Sequence, residues 1–199
     1  TMGFKMNLSA MIYPLLGLGG IGHTLANGKL KSISLFIFSL GLLLLGLDFM
    51  KNSVHDFTGN LNLEVLQGLP LIIFLLFGVV VTAVIQSSSA VMMLVLTALY
   101  ADVLALPAAA AVVIGADLGT SSTVLIGSLK GSVAQKRLAM AQVIFNLIVD
   151  VIAFLSIYLL LDFIALIRIE DPMISLVAFH SVFNLLGLLI FIPFLNQYS

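Results

Sequence analysis

The sequence has no cysteine and no tryptophan, and only 9% of its 199 residues are charged. The absence of cysteine excludes disulfides, thiolate metal sites and cysteine nucleophiles. Eight basic residues against nine acidic ones provide no basic surface for phosphodiesters, so no nucleic-acid partner is expected. Soluble domains are about 25% charged, and the composition therefore also excludes a soluble globular domain.

Apolar residues make up 61% of the chain, and the mean hydropathy is +1.24. The apolar runs do not alternate with polar residues as barrel strands do, so we expect an all-α, multi-pass integral membrane protein. A bacterial inner or plasma membrane is the expected location, with the lipid bilayer as a partner. We treat 1–199 as one transmembrane domain with a leading segment at 1–32. About six hydrophobic segments are predicted, at 7–26, 33–50, 69–100, 103–129, 138–167 and 173–195.

The third segment lies in a charge-free run that is too long for one membrane-spanning helix. As one helix, the run from Val65 to Ala101 would extend ~55 Å, against a hydrocarbon core of ~30 Å. Its most polar part is Gln86–Ser89, so we predict a re-entrant helical hairpin that turns there. Such a hairpin places the basic loops around 29–31 and 130–137 on the same side of the membrane, as the positive-inside rule requires.

Two polar stretches lie at the predicted membrane depth. Gln86-Ser87-Ser88-Ser89 can satisfy unwound backbone, and helix ends there would favour an anion. Close helix packing is the alternative, but it calls for small residues spaced by four rather than side by side. The second stretch, Gly115–Thr123, predicts a broken helix whose oxygens suit a small cation such as Na⁺. Its two glycines spaced by four are alternatively a helix-packing motif.

Further polar residues lie inside the last two segments. The pattern [Gln/His]-x-x-Phe-Asn-Leu occurs twice, beginning at Gln142 and at His180. Its asparagines, Asn146 and Asn184, are equally compatible with ligand binding and with an interhelical hydrogen bond. For His180 we favour a hydrogen-bonded packing role. Asp150 lies in the middle of its segment and has no such simple explanation.

These elements resemble the type II sodium/phosphate cotransporter family, which has bacterial members. The resemblance rests on Thr-Ala-x-x-Gln-Ser-Ser-Ser-Ala, on Gly-x-Asp-x-Gly-Thr-Ser-Ser-Thr, and on the Phe-Asn pairs, and it covers roughly 33–195. It implies one half of an inverted-repeat transporter, similar to the second repeat, with the site formed by broken helices at mid-membrane. It also implies secondary active symport of inorganic phosphate with Na⁺ as the coupling ion, with phosphate driven inward, no other cofactor and no enzymatic activity.

The chain departs from the family pattern in three ways. Asp117 and Leu118 stand where the family usually has Asn and Ile, and Gln142 stands where many members have His. The chain holds one Gln-Ser-Ser-Ser element, whereas a complete member holds two. A second repeat is therefore an expected partner, supplied either by a missing first half or by an antiparallel copy of the same chain.

The resemblance also assigns site residues. Phosphate is expected to contact Gln86, Ser87, Ser88, Ser89, Thr120 and Ser121. Na⁺ is expected to contact Gln86, Ser89, Asp117, Thr120, Ser122, Thr123 and Asn146. Weaker candidates are Thr82, His180 and Asn184. The alternatives are a non-transporting subunit or scaffold that pairs with a larger transporter, and a transporter of another anion.

Overall fold

The computed structural model describes residues 8–58 and 68–192, and these residues form helices without strands. The all-helical prediction is confirmed. The chain divides into two compact units, Thr1–Phe57 and Thr58–Ser199. The helices are α1 (Leu8–Leu25), α2 (Gly28–Thr58), α3 (Leu71–Ile85), α4 (Ser88–Tyr100), α5 (Leu106–Ser128), α6 (Val133–Leu155), α7 (Ile157–Leu166) and α8 (Pro172–Phe191). The described residues thus form eight helices, because two of the six predicted segments are each divided.

In the first unit, α1 and α2 pack as an antiparallel helical pair. Gly19 lies against the backbone of Phe38, and a Cβ at Gly19 would be 2.5 Å from the Phe38 nitrogen. Gly41 lies in the same way against Leu16, where a Cβ would be 3.0 Å from the Leu16 nitrogen. The connection ends at Gly28, whose φ of +60° suits glycine. Small residues therefore allow the two backbones to approach closely, as they do in membrane helix pairs.

The second unit is built around α5. Nine successive residues, Ala108–Ala116, are buried, so this part of the helix is covered on every side. The helices that contact it are α3, α4, α6, α7 and α8. The covered stretch consists mostly of alanine and valine, whose small side chains let several neighbours approach one helix.

Helices α3 and α5 approach each other closely enough for their backbone atoms to be in contact. A Cβ at Gly78 would collide with the carbonyl oxygen of Val112, and one at Gly115 with that of Leu75. A Cβ at Gly119 would be 2.7 Å from the Cβ of Thr82. The glycines of 115–119 therefore act in helix packing, which was the alternative interpretation of this motif.

The predicted break at Gly115–Thr123 is wrong, because α5 continues through it to Ser128. The hydroxyl of Thr120 donates a hydrogen bond to the carbonyl of Asp117. The hydroxyl of Ser122 donates to the carbonyl of Gly119 at 2.7 Å. The helix itself thus accepts the hydroxyl protons, so these hydroxyls require no unwinding.

The third predicted segment, 69–100, is divided into two helices at the predicted turn. Helix α3 ends at Ile85 and α4 begins at Ser88. One cavity of about 340 Å³ is lined both by Leu69–Leu71, at the start of α3, and by Val103–Ala105, after α4. The start of α3 and the end of α4 therefore lie at the same end of the hairpin. At 15 and 13 residues the helices are ~22 Å and ~20 Å long, shorter than the ~30 Å hydrocarbon core. Re-entry of this hairpin into a bilayer stays a prediction, as does the inverted repeat.

The fifth predicted segment, 138–167, is also two helices. Helix α6 ends at Leu155 and α7 begins at Ile157, with Ser156 between them. The Ser156 hydroxyl donates a hydrogen bond to the carbonyl of Ile152 at 2.6 Å. Among the described residues, four stretches are long and apolar enough to cross a membrane: Gly28–Gly46, Leu106–Ser128, Val133–Leu155 and Pro172–Phe191.

Candidate functional site

The turn between α3 and α4 contains the most specific sequence element. Gln86 has the left-handed conformation, with φ 58° and ψ 31°, and its N–H donates to the carbonyl of Thr82 at 2.6 Å. Ser87 caps α4, because its hydroxyl accepts a hydrogen bond from the N–H of Ala90 at 3.3 Å. Ser88 is half-buried, whereas Gln86 and Ser89 are exposed. The turn therefore combines hydroxyl and amide side chains with a helix N-terminus, which is favourable for an anion.

Asn146 on α6 joins that helix to the hydroxyl-rich part of α5. Its side-chain N–H group lies 3.3 Å from the main-chain oxygen of Asp117 and 3.4 Å from the hydroxyls of Thr120 and Ser121. Asn146 and Ser121 are both buried. The structure thus brings four predicted site residues together, and the interhelical hydrogen bond proposed for Asn146 is present.

Thr82 is fully buried one helical turn before the break, against Gly119 of α5. Among the described residues, its hydroxyl has no hydrogen-bond partner. Threonine in a helix commonly donates to a carbonyl of the preceding turn. Thr82 therefore places a buried hydroxyl without a hydrogen-bond partner near the turn.

Other predicted residues are not joined to this group. In the described part of the chain, no hydrogen bond links Gln86–Ser89 to the hydroxyls of residues 120–123. Thr123 is half-buried on α5. Asn184 donates within α8 to the carbonyl of His180 at 3.1 Å. The ring of His180 packs edge-on against Phe183, with centroids 5.3 Å apart, as expected for a packing role. Its buried Nδ1 has no hydrogen-bond partner among the described residues, so the hydrogen bond predicted for this packing role is not found at that atom.

Asp150 is notable in the sequence for its position within an apolar segment but is not among the predicted site residues. It lies on α6 and is only 1% exposed, and its two buried carboxyl oxygens have no hydrogen-bond partner in the part of the chain that the structure describes. Its carboxyl lies within interaction range of that of Asp117 on α5, and His180 on α8 lies within electrostatic range of Asp117. The available signal was its charge in the middle of the apolar segment 138–167, since intramembrane carboxylates commonly have a function.

A short helical hairpin with a polar turn, packed against a buried apolar helix, is typical of membrane transport proteins. The family model described as Na+/Pi-cotransporter matches residues 64–189, which is more than half of the chain. The chain therefore belongs to the Na⁺/Pi-cotransporter family. The resemblance based on the sequence motifs is confirmed, over a shorter range than the 33–195 predicted.

Two curated relatives extend this comparison. "Uncharacterized protein YqeW" of Bacillus subtilis (strain 168) is 31% identical over 130 residues, which cover 62% of this chain and 40% of the relative. "Putative inorganic phosphate export protein YjbB" of Escherichia coli (strain K12) is 28% identical over 162 residues, covering 79% of this chain and 29% of the relative. The matched region is less than half of either relative. No solved structure matches the chain.

Proposed function

We propose that this protein transports inorganic phosphate across the membrane in symport with Na⁺, and that the Gln86–Ser89 turn binds the phosphate. The membership of the Na⁺/Pi-cotransporter family supports the substrate class. The observation that carries the site is the helix interruption at Gln86–Ser87, where a capped helix begins among three serines. Backbone N–H groups at a helix N-terminus bind oxyanions well, and the adjacent hydroxyls add donors.

The proposed phosphate ligands carry no positive charge. They are Gln86, Ser87, Ser88 and Ser89 of the turn, with Thr120 and Ser121 of α5. In the described part of the second unit, the basic side chains Lys130, Lys136, Arg137 and Arg168 are all exposed. Phosphate in this site therefore needs another positive charge, and a co-transported Na⁺ supplies it.

The proposed Na⁺ ligands are oxygens, as a hard cation requires. They come from Gln86, Ser89, Asp117, Thr120, Ser122, Thr123 and Asn146. A hydroxyl that donates to a helix carbonyl, as in Thr120 and Ser122, keeps lone pairs for a cation. Thr82 is a stronger candidate Na⁺ ligand because its hydroxyl has no hydrogen-bond partner in the described part of the chain. Asn184 is a weaker one because its side chain donates a hydrogen bond within α8.

A second Gln-Ser-Ser-Ser element is proposed to complete the site, since this chain contains one. It would come from another part of a longer polypeptide or from an antiparallel second copy. The direction of net transport follows the combined Na⁺ and phosphate gradients. Because YjbB is named as an export protein, efflux should be measured together with uptake.

The test is radiolabelled phosphate flux in proteoliposomes that contain the full-length protein, with and without a Na⁺ gradient. We expect Gln86→Gly and Ser88→Ala to lower the flux by about tenfold, since a lost desolvated hydrogen bond contributes about 1–3 kcal/mol. Gln86→Gly keeps the left-handed turn, so its loss of flux separates ligand binding from folding.

The matched control is Ser128→Ala. The Ser128 hydroxyl donates to the carbonyl of Leu125 at the end of α5, at 2.9 Å, and should not be needed for transport. Wild-type flux in both turn variants would contradict the site. Flux of sulfate but not phosphate would assign a different anion, and phosphate flux without any effect of Na⁺ would contradict the coupling.

A labelling experiment tests the re-entrant hairpin. Single cysteines can replace Leu69, Tyr100 or Leu129 in this cysteine-free chain. We expect the first two to react with an impermeant thiol reagent from one side of the membrane, and Leu129→Cys, beyond α5, from the other. Labelling of the first two positions from opposite sides would show that residues 69–100 cross the membrane.

A further inference from the structure

Two carboxylates face each other between α5 and α6 in the interior of the second unit. Asp117 is half-buried on α5, and Asp150 is 1% exposed on α6. Their carboxyl groups are close enough to interact, but neither oxygen of Asp150 meets the geometry of a hydrogen bond. A buried charge is normally paired or bound to a metal ion, because its removal from water is costly. The described contacts of Asp150 provide neither.

The surrounding protein does not neutralise this pair. The ionisable group on the third helix is His180 of α8, which lies within electrostatic range of Asp117. With both carboxyl groups ionised, even a charged imidazole would leave one excess negative charge. The basic side chains of the described second unit are exposed, and none faces the pair. A small mobile cation would remove this imbalance.

We propose that the carboxylates of Asp117 and Asp150 form a binding site for one monovalent cation between α5 and α6. Carboxylate oxygens are suitable ligands for a hard cation. Asn146 lies one helical turn before Asp150 and donates to the main-chain oxygen of Asp117. This hydrogen bond fixes the relative position of α5 and α6 along their axes, so that Asp117 and Asp150 lie near each other. Asp150 thereby becomes a cation ligand in addition to the residues of the proposed Na⁺ site.

The inference rests on the proposed function only in naming Na⁺ as the cation. It does not require phosphate, because the proposed ligands are carboxyl groups of the protein itself. The site should therefore bind Na⁺ in the absence of phosphate, which separates its test from that of phosphate transport. A protein that binds Na⁺ here but transports no phosphate would contradict the proposed function and leave this site in place.

The experiment measures binding of radioactive Na⁺ to the full-length protein in detergent, without phosphate. We expect Asp150→Asn to weaken Na⁺ binding by about tenfold or more, as loss of a metal-site residue commonly does. Asp150→Glu keeps the charge and should retain more of the binding. The matched control is Asp162→Asn on α7, because Asp162 is exposed and should not affect the affinity for Na⁺.

A second measurement uses the unchanged protein and so does not depend on how the variants fold. Na⁺ should raise the unfolding temperature of the wild type relative to choline, because a ligand that binds only the folded state stabilises it. The shift should disappear in Asp150→Asn. Wild-type Na⁺ affinity in folded Asp150→Asn would overturn the proposal, as would the absence of any Na⁺-dependent shift in the wild type. If Asp150→Asn leaves Na⁺ binding unchanged but alters proton release, the two carboxyl groups bind a proton rather than Na⁺.

Discussion

Gln86–Ser89 and Gly115–Thr123 are both rich in hydroxyl side chains, yet only the first interrupts a helix. The difference lies in the direction of the hydroxyl hydrogen bonds. Ser87 accepts from the N–H of Ala90, three residues ahead, and so starts a new helix. Thr120 and Ser122 donate to carbonyls three residues behind, and so remain within the helix that contains them. Hydroxyl content alone therefore does not predict a break in a membrane helix.

Packing increases this difference between the two stretches. Gly115 and Gly119 lie against the backbone of α3, and α5 is covered by neighbours over Ala108–Ala116. Unwinding α5 would separate these contacts. The Gln86–Ser87 turn has no such constraint, because Gln86 is exposed and adopts the left-handed conformation that ends α3.

The largest effect is expected at the glycines that hold the unbroken stretch. Gly115→Val should destabilise the protein by about 3 kcal/mol, because the new side chain would collide with the Leu75 carbonyl. Gly127→Val is the control on the same helix, since no atom lies within 4 Å of its ideal Cβ position. The folded yield and thermal unfolding in detergent measure the difference. Equal stability of the two variants would contradict the close α3–α5 contact.

The hydrogen bonds of Asn146 are the next test of the unbroken stretch. Asn146→Leu should destabilise the protein by about 1–2 kcal/mol, because three oxygens of α5 lose a donor. Asn184→Leu should have a smaller effect, since Asn184 donates within its own helix. Thermal unfolding of both variants provides the comparison. A larger loss for Asn184→Leu would show that the contact between α5 and α6 does not depend on Asn146.

In the broken stretch, the cap of α4 can be tested by itself. Ser87→Ala should cost about 1 kcal/mol, the usual value for a lost helix cap. Ser87→Asp should keep that stability, because aspartate also caps helices, but its charge should repel an anion. We therefore expect Ser87→Asp to keep the stability of the wild type while its phosphate flux falls. Normal flux in this variant would argue against an anion next to Ser87.

The smallest effect is expected for a hydroxyl of the unbroken stretch. Ser122→Ala should change stability by less than about 0.5 kcal/mol, because α5 keeps its backbone hydrogen bonds without the side chain. Any marked loss of Na⁺-dependent flux in this variant would then reflect a ligand role rather than a folding defect. Circular dichroism and flux on the same preparation distinguish these outcomes.

The sequence predicted those features that depend on length and composition. The spacing of charges indicated the apolar helices, and the excess length of residues 69–100 required the turn at Gln86. The family followed from the Gln-Ser-Ser-Ser element and the second polar stretch, and the family match confirms it.

The wrong or missing predictions depend on contacts that one sequence does not specify. Whether a hydroxyl bonds forward or backward depends on the packing of its helix, so the continuity of α5 was not predictable from Thr120 and Ser122. The division at Ser156 depends on a single serine in an apolar run. The proximity of Asp117 and Asp150 involves positions 33 residues apart on two helices, and no sequence pattern connects them.

The glycine contact between α3 and α5 also bears on how a transporter of this kind could move. Side-chain contacts can slide by changing rotamers, but backbone atoms in direct contact have no such freedom. We therefore expect α3, the turn and α5 to move as one rigid piece, with displacement concentrated at the side-chain contacts of α6 and α8. Spin labels on α3 and α5 should then keep a constant separation in the presence and absence of Na⁺. Labels on α3 and α6 should change theirs.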